Sequence, residues 1–201
     1  MTFNQIVSSV FPIVLVAVMS FASATCASTN SAENKDAAQQ DGMLIIRQSA
    51  EAGDAWAQNE LGVLYYEGKG VPQNHRKARE WFDKAVDQGH AGAQVNLGTL
   101  YLRGEGATQS DEMAMFWFQR AAKQEDALAF AKLGLMYAQG RGVEKNLIQA
   151  HKFYQLSFAH GESRSSENRD ALAKQMTPGQ ISEAERLACE STRGVREPLK
   201  C

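Results

Sequence analysis

Cysteine is scarce in this chain, and so is any imbalance of charge. Only Cys26, Cys189 and Cys201 occur among 201 residues. None falls in the central stretch 53–160, so a thiolate zinc cluster is excluded there. No run of like charges stands out, and 21 Lys and Arg against 23 Asp and Glu leave a formal net charge of −2. That balance gives neither nucleic acid nor an acidic membrane surface an electrostatic reason to bind. The histidines are His75, His90, His151 and His160. No two share the i, i+4 spacing of a metal pair, and each reads as a surface side chain. Gly-x-Ser-x-Gly is missing, and no serine is followed three residues later by lysine, which removes the common serine-nucleophile signatures. No catalytic residue, metal or cofactor is expected, and the chain does not read as an enzyme.

Long apolar runs are also absent, with one exception at the start. Val10 to Ala24 is uncharged and mainly apolar, but shorter than the roughly 20 residues a membrane-crossing helix needs. Ala22-Ser23-Ala24 fits the small-x-small site of a signal peptidase, although no Lys or Arg precedes the run. Residues 1–24 are therefore expected to be a cleaved leader and 25–35 a disordered polar linker. The mature protein is expected to be periplasmic or secreted, without stable membrane insertion. Ser23-Ala24-Thr25 before Cys26 is a poor lipidation site, so no lipid anchor is expected. In an oxidising compartment Cys189 and Cys201 can bridge a short loop and pin the tail, 194–201.

What the chain has in abundance is self-similarity. Displaced by 36 residues, it falls into register without gaps from 53 to 160. Ala57, Leu61, Gly62, Leu64, Tyr65, Gly68 and Gly70 return as Ala93, Leu97, Gly98, Leu100, Tyr101, Gly104 and Gly106. They return again as Ala129, Leu133, Gly134, Met136, Tyr137, Gly140 and Gly142. Further on, Ala78, Trp81, Phe82 and Ala85 map onto Ala114, Trp117, Phe118 and Ala121, then onto Ala150, Phe153, Tyr154 and Ser157. Ala57, Leu61, Leu64 and Tyr65 fall at i, i+4, i+7, i+8 and Ala78, Trp81, Phe82 and Ala85 at i, i+3, i+4, i+7, each a single helical face. A glycine inside the first helix costs about 1 kcal/mol relative to alanine, so Gly62, Gly98 and Gly134 imply close contact with another helix. Gly68 suits a left-handed helix end, and Pro72 blocks continuation. A phosphate-binding loop is excluded, because these glycines close a helix instead of opening one after a strand.

The pattern Ala-x3-Leu-Gly-x2-Tyr-x2-Gly-x-Gly-Val followed by Ala-x2-Trp-Phe-x2-Ala resembles Sel1-like repeats, relatives of the tetratricopeptide repeats. Departures are local: Ala107 for Val, Glu125 for Gly, Phe130 for Gln and Ser157 for Ala. The resemblance implies an all-α, right-handed α-solenoid of helix-turn-helix repeats at 53–88, 89–124 and 125–160. Residues 36–52 are expected to be an N-terminal capping helix, with Ile45, Ile46 and Ser49 in register with Trp81, Phe82 and Ala85. Residues 161–193 are expected to be C-terminal capping helices, over Asn168–Met176 and Pro178–Thr192. By the same resemblance the first helices line the concave side and receive another protein or peptide segment. The stripe left variable there is Asn59, Val63, Tyr66, then Val95, Thr99, Leu102, then Ala131, Leu135, Ala138. It is the candidate partner groove, unless it packs against the adjacent repeat. An exported, monomeric adaptor or scaffold follows. The alternatives are a binder or hydrolase of cell-wall material or β-lactams, as in cysteine-rich Sel1-like proteins, and a secreted host-interaction factor.

Overall fold

A computed structural model describes residues 41–192, and helices account for all its regular structure there. The first, α1, is described over 41–51. Six more form three hairpins: α2 (Ala55–Glu67) with α3 (His75–Asp87), α4 (Ala91–Arg103) with α5 (Asp111–Ala122), and α6 (Ala127–Gln139) with α7 (Leu147–Ala159). The pair α8 (Arg164–Ala173) and α9 (Pro178–Ser191) closes the stack, both packing on α7. The leader at 1–24, the linker at 25–35, Cys26, the tail at 194–201 and Cys201 lie outside the described residues. Cys189, on α9, is disulfide-bonded.

Local chemistry sets each helix start. Asp54 and Asp126 accept the backbone N–H of Ala57 and Ala129 at 2.7 and 2.8 Å, while His90 Nδ1 accepts that of Ala93 at 3.1 Å. Asn74, Ser110 and Asn146 cap the second helices in the same way. Each such side chain satisfies an N–H that the helix itself cannot. The first helices all stop at a left-handed glycine, Gly68, Gly104 or Gly140, with φ between 71° and 73°. A Thr177–Gln180 capping box opens α9.

Packing explains the interior glycines. A Cβ on Gly62 would lie 2.5 Å from the Phe82 ring, one on Gly98 2.7 Å from Phe118, and one on Gly134 2.9 Å from Tyr154. The partner helix is therefore the second helix of the same hairpin. Phe82 and Phe118 are 1% and 0% exposed, seated over Gly62 and Gly98. Leu61, Leu97, Leu100, Leu133 and Met136 fill the rest of the interior. Between repeats the Gly-x-Gly turn does the joining: a Cβ on Gly142 would meet the Asp111 carbonyl oxygen at 2.7 Å, and one on Gly106 would overlap the His75 carbonyl.

The ends depart from the sequence reading in two details. On α1 the inward residues are Ile46 and Ala50, packed with Ala57 and Leu61, while Ile45 is exposed. The helix α8 begins at Arg164 instead of Asn168, because buried Ser165 in its first turn bonds Ser157 of α7 at 2.7 Å and fixes the chain there.

Replacing Gly98 by Ala gains about 1 kcal/mol of helix propensity but forces a methyl into the Phe118 ring. Overpacking costs about 1–3 kcal/mol, so Gly98→Ala is expected to lower the urea midpoint. Phe118→Leu in the same chain should recover part of the loss, and additive effects of the two substitutions would contradict the contact.

Candidate functional site

The first helices α2, α4, α6 and α8 follow one another at the repeat spacing, and their side chains meet. Most of the variable stripe is consumed in that meeting. Asn59, buried, accepts from Asn96 Nδ2 at 2.9 Å and donates to Glu60 at 3.2 Å. Val95 is 4% exposed, packed among Ala114, Met115 and Phe118. Val63 packs against the Ala93–Leu97 layer of the next repeat. The Tyr66 phenol donates to Glu105 at 2.8 Å and accepts from Arg103 at 2.7 Å. Burial, then the hydrogen bond to Glu105, pushes its pKa up. Thr99 bonds back to the Val95 carbonyl, and Leu102 offers its carbonyl to Arg141 at 3.1 Å. Ala138 packs with Tyr154 and Leu172. Asn59 and Val95 are thus seam residues with no surface to offer a partner. Ala131 and Leu135 open onto a recess, a notch of about 230 Å³ between α6 and α8 that Lys132 and Arg164 also line.

The seam has a latch that the repeat pattern conceals. The middle residue of Gly-x-Gly reaches back to the preceding repeat: Glu105 to Tyr66, and Arg141 to Asp111 through Nε at 3.1 Å and Nη2 at 2.5 Å. Two parallel bonds to a half-buried carboxylate hold more firmly than one exposed pair.

One residue further round the helix lies the open face. Trp56, Glu60 and Glu67 follow i, i+4, i+11, with Gly92 and Arg103 beside them and Leu128, Lys132 and Gln139 beyond. Trp56 is 59% exposed and Leu128 49%. Along this face Glu60 and Glu67 stand in the first repeat and Arg103 and Lys132 in the next two, with Arg164 and Glu162 together at the last notch. Burial, then the Arg103 charge, holds the Lys132 ammonium below the ordinary lysine range. Neither Trp56 nor Leu128 was singled out by the variable-stripe reading. A step of one residue turns the helix by only about 100°, and the repeat pattern does not say which side of a variable stripe the neighbour covers. A solvent-facing Trp in register with a Leu two repeats away was the available signal.

Stacked helix hairpins of this size, joined by Gly-x-Gly turns and side-chain latches, define an α-solenoid repeat protein. Three consecutive copies of the Sel1 repeat match residues 57–90, 91–126 and 127–162, and the chain belongs to the Sel1 repeat family. It is similar to a protective antigen present in uropathogenic Escherichia coli strains displaying an SLR fold, with 34% identity and a TM-score of 0.71. That match covers 77% of this chain and 33% of the antigen. A Sel1 repeat protein from Oxalobacter formigenes is 32% identical with a TM-score of 0.58, over 70% of this chain and 60% of that one. The chain thus spans about a third of the first structure and three-fifths of the second. Among curated proteins none matches significantly. Repeats of this family typically mediate protein–protein interaction, and the fold is typically a non-catalytic scaffold.

The histidines divide between caps and core. His90 caps α4, and His75 and His160 lie half-buried against Tyr66 and Phe130. His151 is not the surface residue its helical position suggested: it is 3% exposed on α7, with no hydrogen bond to Nδ1. Both α8 and α9 pack on α7, and charges from both, Arg169 and Asp170 on α8 and Glu185 on α9, act on His151. Among the described residues no group of three or more His, Cys, Asp or Glu could hold a metal, and no helix is long and apolar enough to cross a membrane. Burial, then the Arg169 charge, lowers the His151 pKa, against smaller opposing effects of Glu185 and Asp170. As pH falls below the ordinary value of about 6.5 the unfolded chain takes the proton first, so folding loses up to about 1.4 kcal/mol per pH unit. His151→Gln is expected to lose less stability than the wild type between about pH 6.5 and 5, measured by urea unfolding. Parallel losses would show that His151 does not titrate this way.

Proposed function

We propose that this chain is an exported, periplasmic or secreted adaptor whose first-helix face receives an extended or helical segment of another protein. The observation that carries the reading is the pairing of two exposed apolar anchors, Trp56 and Leu128, with charge that passes from acidic to basic between the repeats of the same face. Large exposed side chains, Trp above all, are where binding energy concentrates once water is excluded. Charge running from Glu60 and Glu67 to Arg103 and Lys132 favours one direction of the bound segment and one register. Tyr66 and Leu102 serve this face indirectly, by holding the repeats at a fixed spacing. Export is supported by the apolar run and small-x-small site of residues 10–24. Likeness to a bacterial protective antigen favours a second reading, a secreted factor that meets host proteins with the same face.

A photo-cross-linking residue at position 128 or at position 80 of α3, in the producing cells, tests the assignment. The expected result is a discrete adduct from position 128, none from position 80, and loss of the adduct when Lys132→Glu is added. Adducts of equal yield from both positions, or indifference to Lys132→Glu, would move the interaction off this face.

A further inference from the structure

In the first two repeats a glutamine pair ties the start of the first helix to the end of the second. Gln88 Nε2 donates to Gln58 Oε1 at 2.8 Å, and Gln124 Nε2 to Gln94 Oε1 at 3.0 Å. At the matching positions of the third repeat stand Phe130 and His160, their rings 5.3 Å apart. A second departure sits beside the first. Gly53, Gly89 and Gly161 hold the left-handed corner between repeats at φ of 100°, 83° and 103°, whereas Glu125 occupies that corner at φ 61°. It is the one non-glycine residue with positive φ among those described, a conformation that is strained for a side chain of this length.

These departures converge on one place. Glu125, Phe130 and His160 all line a cleft of about 440 Å³ bounded by α5, α6, α7 and the end of α9. This volume lies within the range of small-molecule sites. Its floor is Phe130, Phe153 and Leu156; the two phenylalanine rings stack at 6.3 Å. Lys123 and Lys152 stand at its edge with His160. Lys152 is half-buried, its ammonium 5.2 Å from the Phe153 ring centre. Burial holds it below the ordinary lysine range, and Glu190 opposes this. Yet Glu190 is itself bonded to Arg186 at 2.5 Å, and neither lysine has an ion pair among the described residues. Departures from a repeat's own rule are expected at functional or strained sites, and here Phe130 also packs with Leu156 and with Ala188 of α9.

We propose that this cleft is a binding site for a small amphipathic carboxylate. Its alkyl or aryl body lies on Phe130, Phe153 and Leu156, and its carboxylate faces Lys152 and Lys123. The site belongs to the second-helix side of the third repeat and is independent of the first-helix face. An aromatic floor selects an apolar body, and the half-buried Lys152 ammonium, with exposed Lys123 beside it, selects its charge, since an anion there regains for Lys152 what burial has removed.

Calorimetric titration of the full chain with octanoate and with octanamide tests both halves. The wild type is expected to bind octanoate saturably and about tenfold more tightly than octanamide, as for one charge-assisted contact. Lys152→Gln should bring the two ligands to within about threefold of each other. The Phe130→Gln, His160→Gln double variant restores the glutamine pair of the other repeats, so it should stay folded while losing about tenfold or more for both ligands. Equal binding of acid and amide by the wild type, absence of a saturable site, or full binding by a folded double variant would overturn the proposal.

Discussion

The close approach of a glycine and an aromatic ring inside each hairpin is the contact on which the rest of this molecule depends. Gly62, Gly98 and Gly134 leave no side chain where Phe82, Phe118 and Tyr154 lie, so the two helices of a repeat pack at ring thickness. That spacing decides which residues of the first helix turn towards the next repeat and which turn to water. Had alanine stood at these positions, the ring would move outward and the layer formed with Leu61, Leu97 and Leu133 would open. Interiors packed to crystal-like density do not absorb such a shift.

From that constraint follows the division of labour along each first helix. Asn59, Val63, Tyr66 and Val95 go to the seam, bonded or packed to the adjacent repeat. The line through Trp56, Arg103 and Leu128 is left to solvent, with Glu60 and Lys132 half-buried along it. The latches from Glu105 to Tyr66 and from Arg141 to Asp111 then fix repeat to repeat. A face built this way is laid on stacked helices and not on mobile loops, which limits the ordering that binding must impose.

The architecture was legible in the sequence because it is written three times. Helix, turn and helix could be placed from Leu61, Gly68 and Phe82 and checked at each recurrence, and the Thr177–Gln180 cap opening α9 could be read directly. The stripe was placed on the first helices, and Asn59 and Val95 of it lie under the neighbouring repeat. Variation between repeats marks seam and surface alike, since each seam needs its own complementary pair. His151 was misread for a related reason: the capping helices α8 and α9 that pack on α7 lie outside the repeat, which no internal comparison registers. Phe130 and Glu125 stood out as departures, but only the fold brings them with His160 to one cleft.

Hydroxyl-radical footprinting of the protein in a culture of the producing cells, against the purified protein in buffer, tests the central claim most directly. Trp56 and Leu128 should be protected in the culture, while Phe116, 50% exposed on α5, keeps its reactivity and Val95 stays unreactive in both. Protection of Phe116 with Trp56 and Leu128 unchanged would contradict the account and place the interaction on the second helices.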